Sequence, residues 1–155
     1  MKKVINIIFC YLLFLAFNLF FSRASWISGS FIDYIKNSSN FIPFKTISTY
    51  VKALIDGSMN MDIPIKNLAG NFLLFLPMGI YFPLFFKKIQ TKHFFISILL
   101  LIFAVEVIQI LTRRGSFDVD DFILNMAGAF LGFVVLKRIQ KAIHSPFHKE
   151  NTSFS

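Results

Sequence analysis

Apolar residues gather in four long runs, about Val4 to Phe21, Leu68 to Phe86, Phe94 to Leu111 and Phe122 to Ile139, separated by polar stretches of unequal length. Each run is long enough to cross a hydrocarbon core about 30 Å thick, which takes roughly 20 helical residues. Lipid offers backbone N–H and C=O groups no partner, so all four runs are predicted to be helices. The first run follows Met1-Lys2-Lys3 and precedes Ser22-Arg23-Ala24-Ser25, the layout of a cleavable signal peptide, but it is longer than the apolar core of one and is expected to be retained. The chain therefore reads as an all-α integral membrane protein. A four-helix transmembrane bundle forms one domain over 1–143, and the polar tail over 144–155 is expected to be disordered.

The first loop, about Ser22 to Asn67, is the only sizeable segment outside the spans. Its opening, Ser22 to Asn40, is rich in Ser and Asn and is expected to be irregular. After Phe41-Ile42-Pro43-Phe44, the apolar positions Ile47, Val51, Leu54 and Ile55 recur at helical spacing, with Lys45, Ser48, Thr49 and Lys52 between them. That pattern predicts an amphipathic helix lying in the membrane interface and ending near Gly57.

Each of the last three spans carries one polar stripe. In the second, Asn67 and Asn71 share a face with Phe75 and Gly79; in the third, Glu106, Gln109 and Arg113 fall at i, i+3, i+7; in the fourth, Asp121, Asn125, Gly128 and Gly132 fall at i, i+4, i+7, i+11. From the helical rise, Glu106 lies about 7 to 8 Å inside its end of the membrane, and Asn71 and Asn125 about 5 Å. Antiparallel spans thus bring their polar groups to one depth, as a single shared pocket requires. Gly128 and Gly132 form a small-xxx-small pair suited to close helix contact.

Composition and charge narrow the reading further. With 55% apolar residues and 22 phenylalanines in 155 residues, the chain holds more than a soluble domain of that size buries. A net charge of +8 would fit a nucleic-acid binder, but the distribution of the cations argues otherwise. Lys2, Lys3, Lys87, Lys88, Lys92, Lys137, Arg138, Lys141 and Lys149 fall in segments that share one side, while the other side mixes basic residues with six of the eight acids. The positive-inside rule then places both termini in the cytoplasm and the loops 22–67 and 112–121 outside.

The loop Thr112 to Asp121 holds Arg113, Arg114, Asp118, Asp120 and Asp121. The aspartates could cap the fourth helix with the arginines neutralising them, or the arginines could recognise an anion, or the carboxylates could hold a divalent cation. The loop has no EF-hand register, Cys10 is the only cysteine, His93, His144 and His148 lie in a basic turn and the tail, and no phosphate-binding glycine loop or hydrolase triad is present. No metal or cofactor is expected.

Taken in order, Asn40 to Ile47 (NFIPFKTI), Asn67 to Gly79 (NLAGNFLLFLPMG), Glu106 to Gln109 (EVIQ) and Arg114 to Gly132 (RGSFDVDDFILNMAGAFLG) make the chain resemble the VanZ-like family of small bacterial membrane proteins. The resemblance runs from about Asn40 to Gly132 and implies recurrent polar positions at Asn40, Asn67, Asn71, Glu106, Gln109, Arg114, Asp118, Asp121 and Asn125. It also implies a place in the bacterial cytoplasmic membrane and a link to glycopeptide resistance of the teicoplanin type. Arg113 departs from it, standing where the family leads us to expect glycine.

The expectation is a protein that binds an anionic or lipid-linked envelope component, such as a cell-wall precursor, in a pocket within the outer leaflet. The alternative is a membrane-embedded enzyme acting on such a substrate, with Glu106 or Asp121 as general base and Arg114 stabilising negative charge. Transport fits poorly, because Ile80 to Phe86 and Phe94 to Val105 are apolar apart from Ser97.

Overall fold

The computed structural model describes Tyr11, residues 30–86 and residues 88–144. The predicted first span, apart from Tyr11, and the predicted tail, apart from His144, lie outside the described residues. In chain order the elements are α1 (Phe31–Ser38), β1 (Ser39–Asn40), α2 (Lys45–Asp56), α3 (Asp62–Phe85), α4 (Thr91–Leu111), β2 (Phe117–Asp118) and α5 (Val119–His144). Helices α3, α4 and α5 are each long and apolar enough to cross a membrane. The second, third and fourth predicted spans are these helices.

The helices start earlier than the apolar runs do. Helix α3 begins at Asp62, not Leu68, because its polar first turns are satisfied locally: the Asn60 side chain accepts from the Asp62 N–H at 3.0 Å, and Lys66 pairs with Asp62 at 3.4 Å. Pro64 sits in the first turn, where its missing N–H costs nothing. Hydropathy marks the part of a helix that suits lipid, not where the helix ends.

The stretch just before Asn40 is ordered, against the expectation of an irregular segment. Ser30 caps α1 by accepting from the Asp33 N–H at 3.2 Å, and Tyr34 is buried with its hydroxyl donating to the Gly115 carbonyl. Strand β1 then pairs in parallel with β2, Ser39 opposite Phe117 and Asn40 opposite Asp118. The order comes from contacts with the loop between α4 and α5, far along the chain, and local composition carries no sign of it. Helix α2 forms where predicted and ends at Gly57, whose φ of 66° lets its N–H reach the Ala53 carbonyl at 3.0 Å.

The core lies between the three long helices: Phe75 and Met78 from α3, Phe94, Ile98, Ile102 and Val105 from α4, Ala129 and Phe133 from α5. Phe94 stacks on Phe133 at 4.9 Å and Phe103 meets Phe122 at 6.3 Å, so α4 runs antiparallel to α5. Helices α3 and α5 run parallel and pack backbone to backbone. A Cβ on Gly128 would lie 1.9 Å from the Phe72 carbonyl oxygen, one on Gly132 2.1 Å from that of Leu76, and one on Gly79 2.1 Å from that of Ala129. The small-residue pair predicted on the last span is thus a point of close approach, with Gly79 as a third member. Tyr11 packs against this core and its hydroxyl donates to the Leu74 carbonyl, one turn before Pro77.

These contacts separate two otherwise similar substitutions. Gly128→Ala must push backbone away and should lower stability by about 1–3 kcal/mol. Gly70, on α3 with nothing within 4 Å of its would-be Cβ, should accept Ala with no loss, or gain up to about 1 kcal/mol in helix propensity. Thermal unfolding in detergent should order the proteins G70A, wild type, G128A, from most to least stable.

Candidate functional site

At the end of the bundle where α3 and α5 begin and α4 ends, the buried stripe of each helix turns from apolar to polar. On α4 the buried positions Ile98, Ile102 and Val105 continue into Glu106 and Gln109; on α3, Phe75 is preceded one turn earlier by Asn71; on α5, Ala129 and Asn125 follow Asp121. Asn71, Glu106, Gln109, Asp120 and Asn125 expose 3%, 2%, 1%, 0% and 2% of their surface, so these groups are shielded by protein and not by water. Continuing the Phe103 to Phe122 pairing by one turn puts Glu106 level with the first turn of α5.

The three aspartates diverge instead of forming one cluster. Asp118 precedes α5 and caps it, accepting from the Asp120 N–H at 2.9 Å, while its carboxylate also accepts from Asn40 Nδ2 at 3.0 Å and Thr46 Oγ1 at 2.6 Å. Asp120 points the other way, accepting from the backbone N–H groups of Phe44 at 2.5 Å and Ile47 at 3.0 Å, so a residue of α5 caps α2. Asp121 accepts from Asn71 Nδ2 across the α3–α5 contact. Helix capping describes part of what Asp118 does, but all three side chains reach another helix: Asp118 and Asp120 reach α2, and Asp121 reaches α3. Among the described residues no three carboxylate, histidine or cysteine side chains converge as a metal cage requires.

Asn40 and Thr46 are joined to Asp118 through these bonds, and Asn40 also accepts from the Ile42 N–H at 3.2 Å. Asn67 differs from the other sequence-predicted positions. It is half-buried and its side chain donates to the Ile63 carbonyl of its own helix at 2.8 Å. Arg114 is exposed at the rim, and its backbone N–H bonds the Gln109 carbonyl at 2.9 Å. Asn125 is buried beside the α3–α5 contact, and its Oδ1 accepts no hydrogen bond among the described residues. Thr46 and Asp120 are the polar members that sequence reasoning did not place in the site. Asp120 was visible as one acid among three, but only its carboxylate's reach to the start of α2 distinguishes it.

The matching family model, VanZ/LLP1, covers residues 7–140, most of the chain. The chain belongs to this family. Among curated relatives it is similar to Protein VanZ of Enterococcus faecium, 27% identical over 103 residues, which is 66% of this chain and 55% of that protein. The chain thus aligns with about half the length of that relative. No solved structure gives a significant match.

The expectation of glycine at position 113 has a backbone basis. Helix α4 ends in a Schellman turn, with the Arg113 N–H on the Ile110 carbonyl at 3.2 Å and the Arg114 N–H on that of Gln109 at 2.9 Å. This puts residue 113 at the left-handed position where glycine is favoured, and its φ is 54°. Its guanidinium lies over the rings of Phe31 and Tyr34, 5.6 Å and 5.8 Å from their centroids. The side chain returns by cation–π contact, about 0.5–1 kcal/mol, much of what the backbone loses. Arg113→Ala keeps the strain and loses the contact, so it should be less stable than wild type by about 0.5–1 kcal/mol. Arg113→Gly loses the contact but relieves the strain, and should melt above R113A and close to wild type.

Asp120 gives a second test. Removing its carboxylate leaves two backbone donors at the start of α2 without their acceptor, a loss of about 1.5–3 kcal/mol. In D120A, amide exchange at Phe44 and Ile47 should accelerate well beyond that at core positions such as Ile98. Unchanged protection at Phe44 and Ile47 would show that the cap does not hold α2.

Proposed function

We propose that the polar end of the bundle recognises the polar or anionic part of a lipid-linked cell-envelope component at the outer leaflet, and that this binding underlies a contribution to glycopeptide resistance of the teicoplanin type. The observation that supports the reading is a set of polar side chains buried at one end of three helices apolar enough to span a membrane, in which Asn125 presents an acceptor that no group among the described residues satisfies. A structure that needed only stability would fill these positions with apolar residues. In this reading Glu106, Gln109 and Asn125 address hydroxyl or amide donors of the ligand, and Arg114 at the rim takes its phosphate or carboxylate. Asp118, Asp120, Asp121, Asn40 and Asn71 hold the wall in place.

Two further features support it. The two non-glycine residues with positive φ among those described, Phe44 and Arg113, both flank this end, and backbone strain of this kind concentrates at functional sites. Phe41, Phe44 and Ile55 are 69%, 61% and 82% exposed on and just before α2, a surface suited to lipid contact and to an interfacial position for that helix. Around the opposite end, residues 83–93 and 133–144 carry basic residues and no acid, whereas the polar end mixes both signs, and this supports an outward placement of the polar end.

The direct test is to purify the protein with its native lipids, identify the retained species by mass spectrometry, and repeat with Glu106→Gln. Selective loss of one envelope species is expected; identical lipid profiles would count against the site. Formation of a product from the retained species would instead favour the enzymatic reading, with Glu106 as base. In cells, E106Q, R114A and D121N should each abolish protection against teicoplanin at unchanged membrane abundance. Full protection by all three at normal abundance would overturn the proposal.

A further inference from the structure

At the other end of the bundle lies a cavity of about 250 Å³ that plays no part in the reading above. Pro83 and Phe86 from the end of α3, Ile89 from the connection, and Phe133, Lys137 and Gln140 from α5 line it. Two aromatic rings line it, Phe86 and Phe133, and others back them: Phe86 packs on Phe82 at 4.8 Å, Phe82 on Phe94 at 5.8 Å, and Phe94 on Phe133 at 4.9 Å. Lys137 lies with its ammonium 5.4 Å from the Phe133 ring centroid, so the charge is held at the cavity wall.

Depth and charge together specify an occupant. Lys137 is eighteen residues along α5 from Val119, about 27 Å, so with a hydrocarbon core about 30 Å thick its ammonium falls at the boundary of the second leaflet's headgroups. Residues 83–93 and 133–144 contain Lys87, Lys88, Lys92, Lys137, Arg138 and Lys141 and no Asp or Glu. A zwitterionic headgroup would bring its own cation against this field, whereas an acidic one meets only complementary charge. The volume is below that of pockets that enclose whole drug-sized ligands, about 300–1,000 Å³, and suits a headgroup whose acyl chains stay in the bilayer.

We propose that this cavity binds the phosphate of an acidic phospholipid, with Lys137 contacting the phosphate and the Phe86 and Phe133 side of the wall packing against the glycerol region. The site is independent of the polar end and of any resistance function.

The test uses the full-length protein in mixed micelles of phosphatidylglycerol and phosphatidylcholine with matched acyl chains, with retained lipid counted by native mass spectrometry. Phosphatidylglycerol should be retained in preference, and Lys137→Gln should reduce its retention about fivefold, the size of one lysine contact at an anionic membrane surface. Lys66→Gln removes one charge at the opposite end, outside the cavity, and should leave retention unchanged. Equal retention of the two lipids by the wild type, or equal losses in K137Q and K66Q, would overturn the site.

Discussion

The backbone contact between α3 and α5 is the constraint on which the rest of the structure depends. Gly79, Gly128 and Gly132 let two parallel helices, separated in sequence by the whole of α4, approach until carbonyl oxygens occupy the space of missing side chains. In a membrane there is no hydrophobic effect to press helices together, so close van der Waals contact supplies the attraction that burial supplies in water. That approach sets the register that puts Asn71 against Asp121, and it leaves α4 to close the core from the other side through Phe94, Ile98 and Ile102.

Once α5 is fixed, its first turn distributes the remaining order. Asp118 holds Asn40 and Thr46, and Asp120 holds the start of α2. The loop after α4 holds α1 through Tyr34 and Gly115, and β1 through β2. The segment between Ser30 and Asp56 is therefore organised by residues about 70 to 80 positions away, and its helices are too short to persist alone. Burying four carboxylates, those of Glu106, Asp118, Asp120 and Asp121, is tolerable only where donors are supplied to them, and for the aspartates the donors come largely from this otherwise loosely patterned segment.

What the sequence makes legible follows from which features have a period. The three long helices, their polar stripes and the small-residue pair on α5 repeat at helical spacing, so their existence and shared depth can be read directly. Helix α2 can be read from Ile47, Val51 and Leu54 for the same reason. Helix α1 and the two-residue pairing of Ser39-Asn40 with Phe117-Asp118 have no period long enough to detect, and their order is tertiary. The acids at 118, 120 and 121 announce a helix start, but a sequence cannot say that Asp120 reaches the start of a different helix. Arg113 stands where the resemblance led us to expect glycine, and only the left-handed backbone explains what glycine would do there.

The parallel pairing of α3 with α5 also orders the events of biogenesis. As the chain enters the membrane from its N-terminus, Asn71 is inserted while Asp121, Asp120 and Asp118 are still to be synthesised, and α4 brings in Glu106 before the last helix exists. Until α5 follows, the Asn71 amide lacks the Asp121 carboxylate that it meets in the finished fold. The polar end is therefore completed only when α5 is in place and Asp121 meets Asn71.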